Sequence, residues 1–216
     1  MPATTDLARQ LRWRVGKLIL VRHGSTALNK KGPGNSAERI RGWTDVPLDK
    51  EGQREAVSLA TKYAKSDVAK VYTSDLQRAV YIAQAIAKAA HVPVIETDQL
   101  RPWNLGILNG KHVHKVIGLM NQCVENPKIH VPEGEPFESF VMRYLPFLDK
   151  LLKEAAGSRA VDFMPRPIIA VTHSRNLQLA KAWDKKGRPA DYSYDVKQML
   201  DYKEETPPGG QLELTT

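Results

Sequence analysis

The chain has 216 residues, 42% of them hydrophobic, and a formal charge of +8, which suits one domain with a sizeable core. No apolar run approaches the roughly 18 residues of a membrane span, the N-terminus lacks the apolar core of a signal peptide, and the single Cys123 excludes an intramolecular disulfide framework. The expectation is a cytoplasmic protein with no membrane anchor, and the basic balance, with an isoelectric point near 9.5, calls for an anionic partner such as a phosphorylated metabolite or a nucleic acid.

Residues 1–17 carry Arg9, Arg12, Arg14 and Lys17 around Trp13 and read as a basic N-terminal arm. Leu18 to Val21 is a short apolar run of the kind buried on both faces of a parallel sheet, and it delivers Arg22, His23 and Gly24 to a loop. Gly24 allows a tight turn or a close backbone approach to a ligand, and Ser25 and Thr26 add hydroxyls. The connection that follows is long for a compact domain, about 20 residues, and is expected to cover a site.

Asp49 is placed to cap a helix near 50–65, and Val68–Thr73 reads as a second strand. Ser74 with Gln77 has the spacing of a capping box for a helix running to about Ala90, which sets Arg78 in its first turn. A cation there is mildly unfavourable unless an anion lies in front of it. Val92–Glu96 reads as a third strand and Lys111–Val124 as a helix. His112 and His114, two apart, make a poor metal pair and read as surface residues.

The turn at Pro132–Pro136 launches a helix over 137–156, with Phe137, Phe140, Tyr144 and Leu148 inward and Pro146 expected to kink or split it. Pro167–Ser174 then repeats the opening design, an apolar strand ending in His173. Ser174 is expected to cap a helix through Trp183, with Gly187 as its stop. Tyr192–Leu200 reads as a strand, closed by a hairpin through Pro207–Gly210.

Ligand and catalytic groups of parallel sheets sit beyond the carboxyl ends of the strands. Two strands that each hand a histidine to that edge, together with Arg22 and Arg78, suit a phosphate ester: preorganised cations hold its oxygens while one imidazole attacks phosphorus. No carboxylate and histidine cluster has metal-ligand spacing.

These segments resemble the histidine phosphatase superfamily, in its phosphoglycerate-mutase-like branch. The resemblance rests on Leu20-Val21-Arg22-His23-Gly24 with Thr26 and Asn29, on Arg41-Gly42-Trp43 through Leu48, on Ser74-Asp75-Leu76-Gln77-Arg78-Ala79, and on Val171-Thr172-His173-Ser174. It implies an α/β fold, a three-layer α/β/α sandwich with a mostly parallel central sheet, spanning 18–216 after the arm. It further implies His23 as a nucleophile that becomes phosphorylated, with Arg22, Arg78 and His173 in the phosphate pocket and neither metal nor cofactor. Asn29 falls where the family often has a further phosphate contact, and Thr26 and Gly24 are additional substrate-binding candidates. The partner implied is a small phosphorylated substrate or a phosphoprotein, with nucleic acid disfavoured.

One departure stands out. Family members acting on ordinary phosphate esters usually carry an acid where this chain has Pro102, after Leu100-Arg101. Three explanations remain open: Glu133 or Glu135 swings in as general acid, the leaving group needs little protonation, or the chain binds phosphate without turnover. A phosphoglycerate-type mutase and a non-catalytic phosphate-binding or nucleic-acid-binding relative are the alternative functions.

Overall fold

The structure is a computed structural model that describes residues 16–29, 38–158, 165–201 and 205–216. Most of the basic arm therefore lies outside the described residues, as does the Lys30–Asn35 part of the long connection. Lys17, grouped with the arm by its charge, opens the first strand.

Five strands form one sheet: β1 (Lys17–Arg22), β2 (Lys70–Ser74), β3 (Val94–Thr97), β4 (Ile168–Thr172) and β5 (Gln211–Thr215), in the order β3-β2-β4-β1-β5. All neighbours run parallel except β5, which pairs antiparallel with β1 at the edge. Six helices are described: α1 (Lys50–Tyr63), α2 (Gln77–Ala90), α3 (Val113–Glu125), α4 (Phe137–Gly157), α5 (Ser174–Lys185) and α6 (Val196–Leu200).

The layers follow from the two-residue period of the strands. Leu18, Leu20, Ile168 and Ala170 face one way, into a core with Phe140, Leu148, Leu177 and Trp183 of α4 and α5. Val21, Val71, Ile169 and Val171 face the other, against Ala56 and Leu59 of α1 and Ile82 and Ile86 of α2. Apolar residues on both faces of β1 and β4 require helices on both sides, which gives the three-layer sandwich expected from the sequence.

Local signals account for some boundaries and fail at others. Asp49 caps α1, its carboxylate accepting from the Glu51 and Gly52 amides. The capping box at Ser74 does not form: Leu76 occupies the N-cap, and the Gln77 amide donates at 2.8 Å to Asp45, a residue 32 positions away. A carboxylate reaching across from the loop satisfies the orphan amide better than the local hydroxyl does. Ser174 is likewise the first residue of α5, not its cap, and His173 stands at the N-cap position. The helix runs on to Lys185, and Gly187 follows in the left-handed region with φ +81°.

Pro146 lies inside α4, which is one helix from Phe137 to Gly157. Two further expectations are corrected. The segment read as a strand over 192–200 contains α6, begun by the Asp195 carboxylate accepting from the Gln198 amide at 3.0 Å and anchored by the fully buried Met199. No closing hairpin forms with it: the Pro207–Gly210 turn instead delivers β5 alongside β1, with the Arg22 amide donating to the Gly210 carbonyl at 2.9 Å.

Gly24 and Gly52 set how closely α1 approaches the loop after β1. A Cβ on Gly52 would stand 2.2 Å from the Ser25 carbonyl oxygen, and one on Gly24 would stand 2.9 Å from the Gly52 Cα. Backbone lies against backbone here, so neither contact can relax by a side-chain rotation. Gly52→Ala should therefore cost about 1–3 kcal/mol, read as a lower urea midpoint at unchanged slope. An unchanged midpoint would show that the two backbones are free to separate.

Candidate active site

The register of β1 against β4 pairs Arg22 with Thr172, and the His23 amide extends the ladder by donating to the Thr172 carbonyl at 2.9 Å. The next residue on each strand is a histidine, so the two imidazoles must emerge side by side at the carboxyl edge. Their ring centroids are 5.0 Å apart, and the residues are 1% and 3% exposed. On the other side of β4, β2 leads into α2 and brings Arg78 to the same edge. His23, Arg78 and His173 line one cleft, joined by Glu38 to Gly42 from the long connection and by Glu205 from the chain's last loop.

The hydrogen bonds fix what each group can do. His23 Nδ1 lies 2.7 Å from the Gly24 carbonyl. A carbonyl only accepts, so Nδ1 carries the proton and Nε2 keeps its lone pair. Burial, followed by the charges of Arg78, Arg41 and Arg22, holds the His23 pKa well below the ordinary histidine value, against the opposing Gly24 bond. His173 is held down by burial and then by Arg78, and neither of its ring nitrogens has a hydrogen-bond partner.

Arg78 donates from Nη1 to the Thr44 carbonyl and from Nη2 to the Gly42 carbonyl, both at 2.8 Å, while its buried Nε has no partner. Burial and then Arg41 lower it to about 9, so it remains a cation at neutral pH. Arg22 is 3% exposed, its Nη1 donating to Glu205 at 2.8 Å and to the Thr206 carbonyl at 2.5 Å, while its buried Nε has no partner. It does not line the cleft and acts on both histidines through its charge.

The remaining sequence candidates fall elsewhere. Gly24 packs against α1 and supplies the carbonyl for His23. Thr26 donates from its amide and hydroxyl to Asn29 Oδ1, and Asn29 Nδ2 points to Glu38 at 3.5 Å, so the pair braces the loop and neither residue lines the cleft. Glu135 is engaged by Arg143 at 2.8 Å and by the Asn104 amide at 2.9 Å, and Glu133 sits in a turn with φ +61°. Neither lines the cleft, whereas Pro102 does. The same Arg143 donates to the carbonyls of Asp98, Gln99, Arg101 and Pro102, which pins the Pro102 segment in place.

Arg41 belongs to the Arg41-Gly42-Trp43 segment that carries the resemblance but is not among the site residues the sequence singles out. It lines the cleft with its side chain 11% exposed, gives Nη2 to Glu38 at 3.3 Å and leaves Nη1 buried without a partner. It precedes Gly42, whose left-handed backbone (φ +46°) turns its carbonyl to Arg78. Burial and then Arg22 lower the Arg41 pKa. Among the described residues no group of three or more His, Cys, Asp or Glu side chains could hold a metal ion.

Two histidines with depressed pKa values link stability to pH. Above an unfolded pKa of about 6.5 both states are neutral and nothing is lost; below it the unfolded chain takes up protons that the folded chain refuses, so stability falls with pH. Between pH 6.5 and 5.5 this amounts to about 1 kcal/mol per histidine. Urea unfolding of the double variant His23→Gln, His173→Gln should show a fall smaller by that amount for each residue than the parent protein. Parallel pH profiles would mean that the histidines are not held neutral.

Comparison with known proteins agrees with this geometry. The model of the histidine phosphatase superfamily (branch 1) matches residues 18–193. The probable phosphoglycerate mutase GpmB of Klebsiella pneumoniae is 31% identical over 148 residues, 66% of this chain and 66% of that protein, so the chain spans just under two thirds of the relative's length. A mycobacterial glucosyl-3-phosphoglycerate phosphatase superposes with a TM-score of 0.71 at 21% identity, covering 93% of this chain and 90% of that one. A putative alpha-ribazole-5'-P phosphatase from Escherichia coli gives 0.68 at 21% identity, covering 93% and 90%. With the family model matched across most of its length, the chain belongs to the histidine phosphatase superfamily, branch 1.

Proposed function

We propose that the protein hydrolyses a small phosphorylated substrate through a phosphohistidine formed on His23. The observation that carries this reading is the neutral Nε2 of His23, held by the Nδ1 bond to the Gly24 carbonyl, beside His173 in a cleft that also presents Arg41 and Arg78. Residues lining that cleft carry buried polar atoms without partners: Arg41 Nη1, Arg78 Nε and the ring nitrogens of His173. Buried polar atoms without partners are rare, and a group of them around one cleft is what a phosphate binder requires.

The steps follow from these atoms. The phosphate oxygens take the donors of Arg41, Arg78 and His173, and His23 Nε2 attacks phosphorus as the bond to the leaving oxygen breaks. The ring of His23 keeps its Nδ1 proton and becomes a cationic phosphoimidazole, with the Gly24 carbonyl offsetting the new charge. Water then attacks phosphorus from the vacated side, returns the electron pair to Nε2 and leaves as dihydrogen phosphate. Splitting one hard displacement into two easier ones is the gain from the covalent intermediate. Burial, and then the charges of Arg78, Arg41 and Arg22, keep His23 neutral and therefore nucleophilic.

Relatives carry mutase and phosphatase names alike, and the two activities differ in whether phosphate is returned to the substrate or given to water. With p-nitrophenyl phosphate the protein should release nitrophenol and inorganic phosphate in equal amounts, and His23→Ala should reduce the rate to background. Arg41→Ala should lower kcat/KM by about 10²–10³-fold, the usual loss when one preorganised donor to transition-state charge is removed. Full activity in His23→Ala would overturn the reading. Interconversion of phosphoglycerates without phosphate release would make the protein a mutase.

A further inference from the structure

The cleft has a mixed lining. Besides His23, Arg41, Arg78 and His173, it is lined by Ile40, Pro102, Leu105, Val113, Ile117 and Met120. These are the side chains of a hydrophobic pocket, and a sugar or polyol bound against them would lose hydrogen bonds to water without replacement. Trp103 adds to the same lining, and its Nε1 is spent on the Glu135 carbonyl at 2.9 Å.

Carboxyl groups that could give a proton are few. Among the described residues two carboxylates line the cleft, and each accepts from an arginine on one oxygen, Oε1: Glu38 from Arg41 at 3.3 Å, and Glu205 from Arg22 at 2.8 Å. Glu205 also accepts from the Ser174 hydroxyl at 2.5 Å. An oxygen that accepts from a guanidinium has no proton to give in that direction. Pro102, which also lines the cleft, has none at all.

We propose that the leaving group is an apolar body attached through a weakly basic oxygen, the chemistry of an aryl phosphate, and that it departs as an anion without being protonated. The proposal rests on His23 as nucleophile. As the His23 Nε2–P bond forms, the P–O bond breaks with its electron pair on the leaving oxygen. A phenolate is released into the cleft, and water protonates it after it leaves.

A series of substituted phenyl phosphates tests this, with 4-phenylbutyl phosphate as an apolar but strongly basic leaving group and glycerol phosphate as a polar one. The expected result is a kcat/KM that falls steeply with leaving-group basicity, with 4-phenylbutyl phosphate at least about 10²-fold below phenyl phosphate, the rate that general acid catalysis would otherwise supply. Its KM should nonetheless be about 10-fold or more below that of glycerol phosphate. Glu38→Gln and Glu205→Gln should leave the slope unchanged. Pro102→Glu, with an unaltered melting temperature, should flatten it by supplying an acid. A shallow slope in the parent protein that steepens in either glutamine variant would overturn the proposal, as would equal turnover of glycerol and phenyl phosphates. Phosphate trapped on His23 in every such case would leave the phosphohistidine reading standing. Turnover without label on His23 would overturn that reading and the proposal together.

Discussion

The cleft depends on one register. Parallel pairing of β1 with β4 sets Arg22 opposite Thr172, and the hydrogen bond from the His23 amide to the Thr172 carbonyl carries the ladder one residue past the strands. Because side chains alternate with a period of two, a slip of one residue would turn Leu18 and Leu20 out of their core and separate the imidazoles at the same time. The apolar residues on both faces of β1 and β4, none of which can be exchanged between layers without burying the wrong set, therefore fix the spacing of the two histidines. Residues about 150 positions apart in the chain become neighbours through core packing, not through any direct attraction between them.

What the register brings together is electrostatically unfavourable. Arg22, Arg41 and Arg78 surround two buried imidazoles, and each guanidinium opposes protonation of His23. The fold balances this with acceptors that are not free to leave: the carbonyls of Gly42 and Thr44 for Arg78, the Thr206 carbonyl and Glu205 for Arg22, and Glu38 for Arg41. Carbonyls satisfy Arg78 without cancelling its charge, whereas Glu205 and Glu38 offset part of the charge of Arg22 and Arg41. Burial and the positive charge that remains keep the His23 ring neutral and leave the cleft attractive to an anion.

The central architecture could be read from the sequence because it is written in local terms. Two short apolar runs each ending in histidine, amphipathic helices between them and Asp49 before α1 all act over a few residues. Features set by distant partners could not be read in that way. Asp45 caps α2 across 32 residues and displaces the Ser74 capping box. Residues 192–200 read as a strand, yet Asp195 and the burial of Met199 make the segment end as a helix. Arg41 stands in a recognisable segment, but nothing local says that its side chain turns into the cleft, and Glu38 and Glu205 gain their meaning only when the cleft assembles. For Glu135 the sequence offered an acidic turn, but not the Arg143 and Asn104 contacts that occupy it.

The central claim is that the tautomer of His23, set by the Gly24 carbonyl, selects the atom that becomes phosphorylated. Nitrogen-15 and phosphorus-31 NMR of the phosphorylated protein, trapped during turnover and labelled at histidine, locates the phosphorus on a single ring nitrogen. The account predicts phosphate on Nε2 of His23, with its Nδ1 proton still hydrogen-bonded. Phosphate on Nδ1, or on His173, would contradict it.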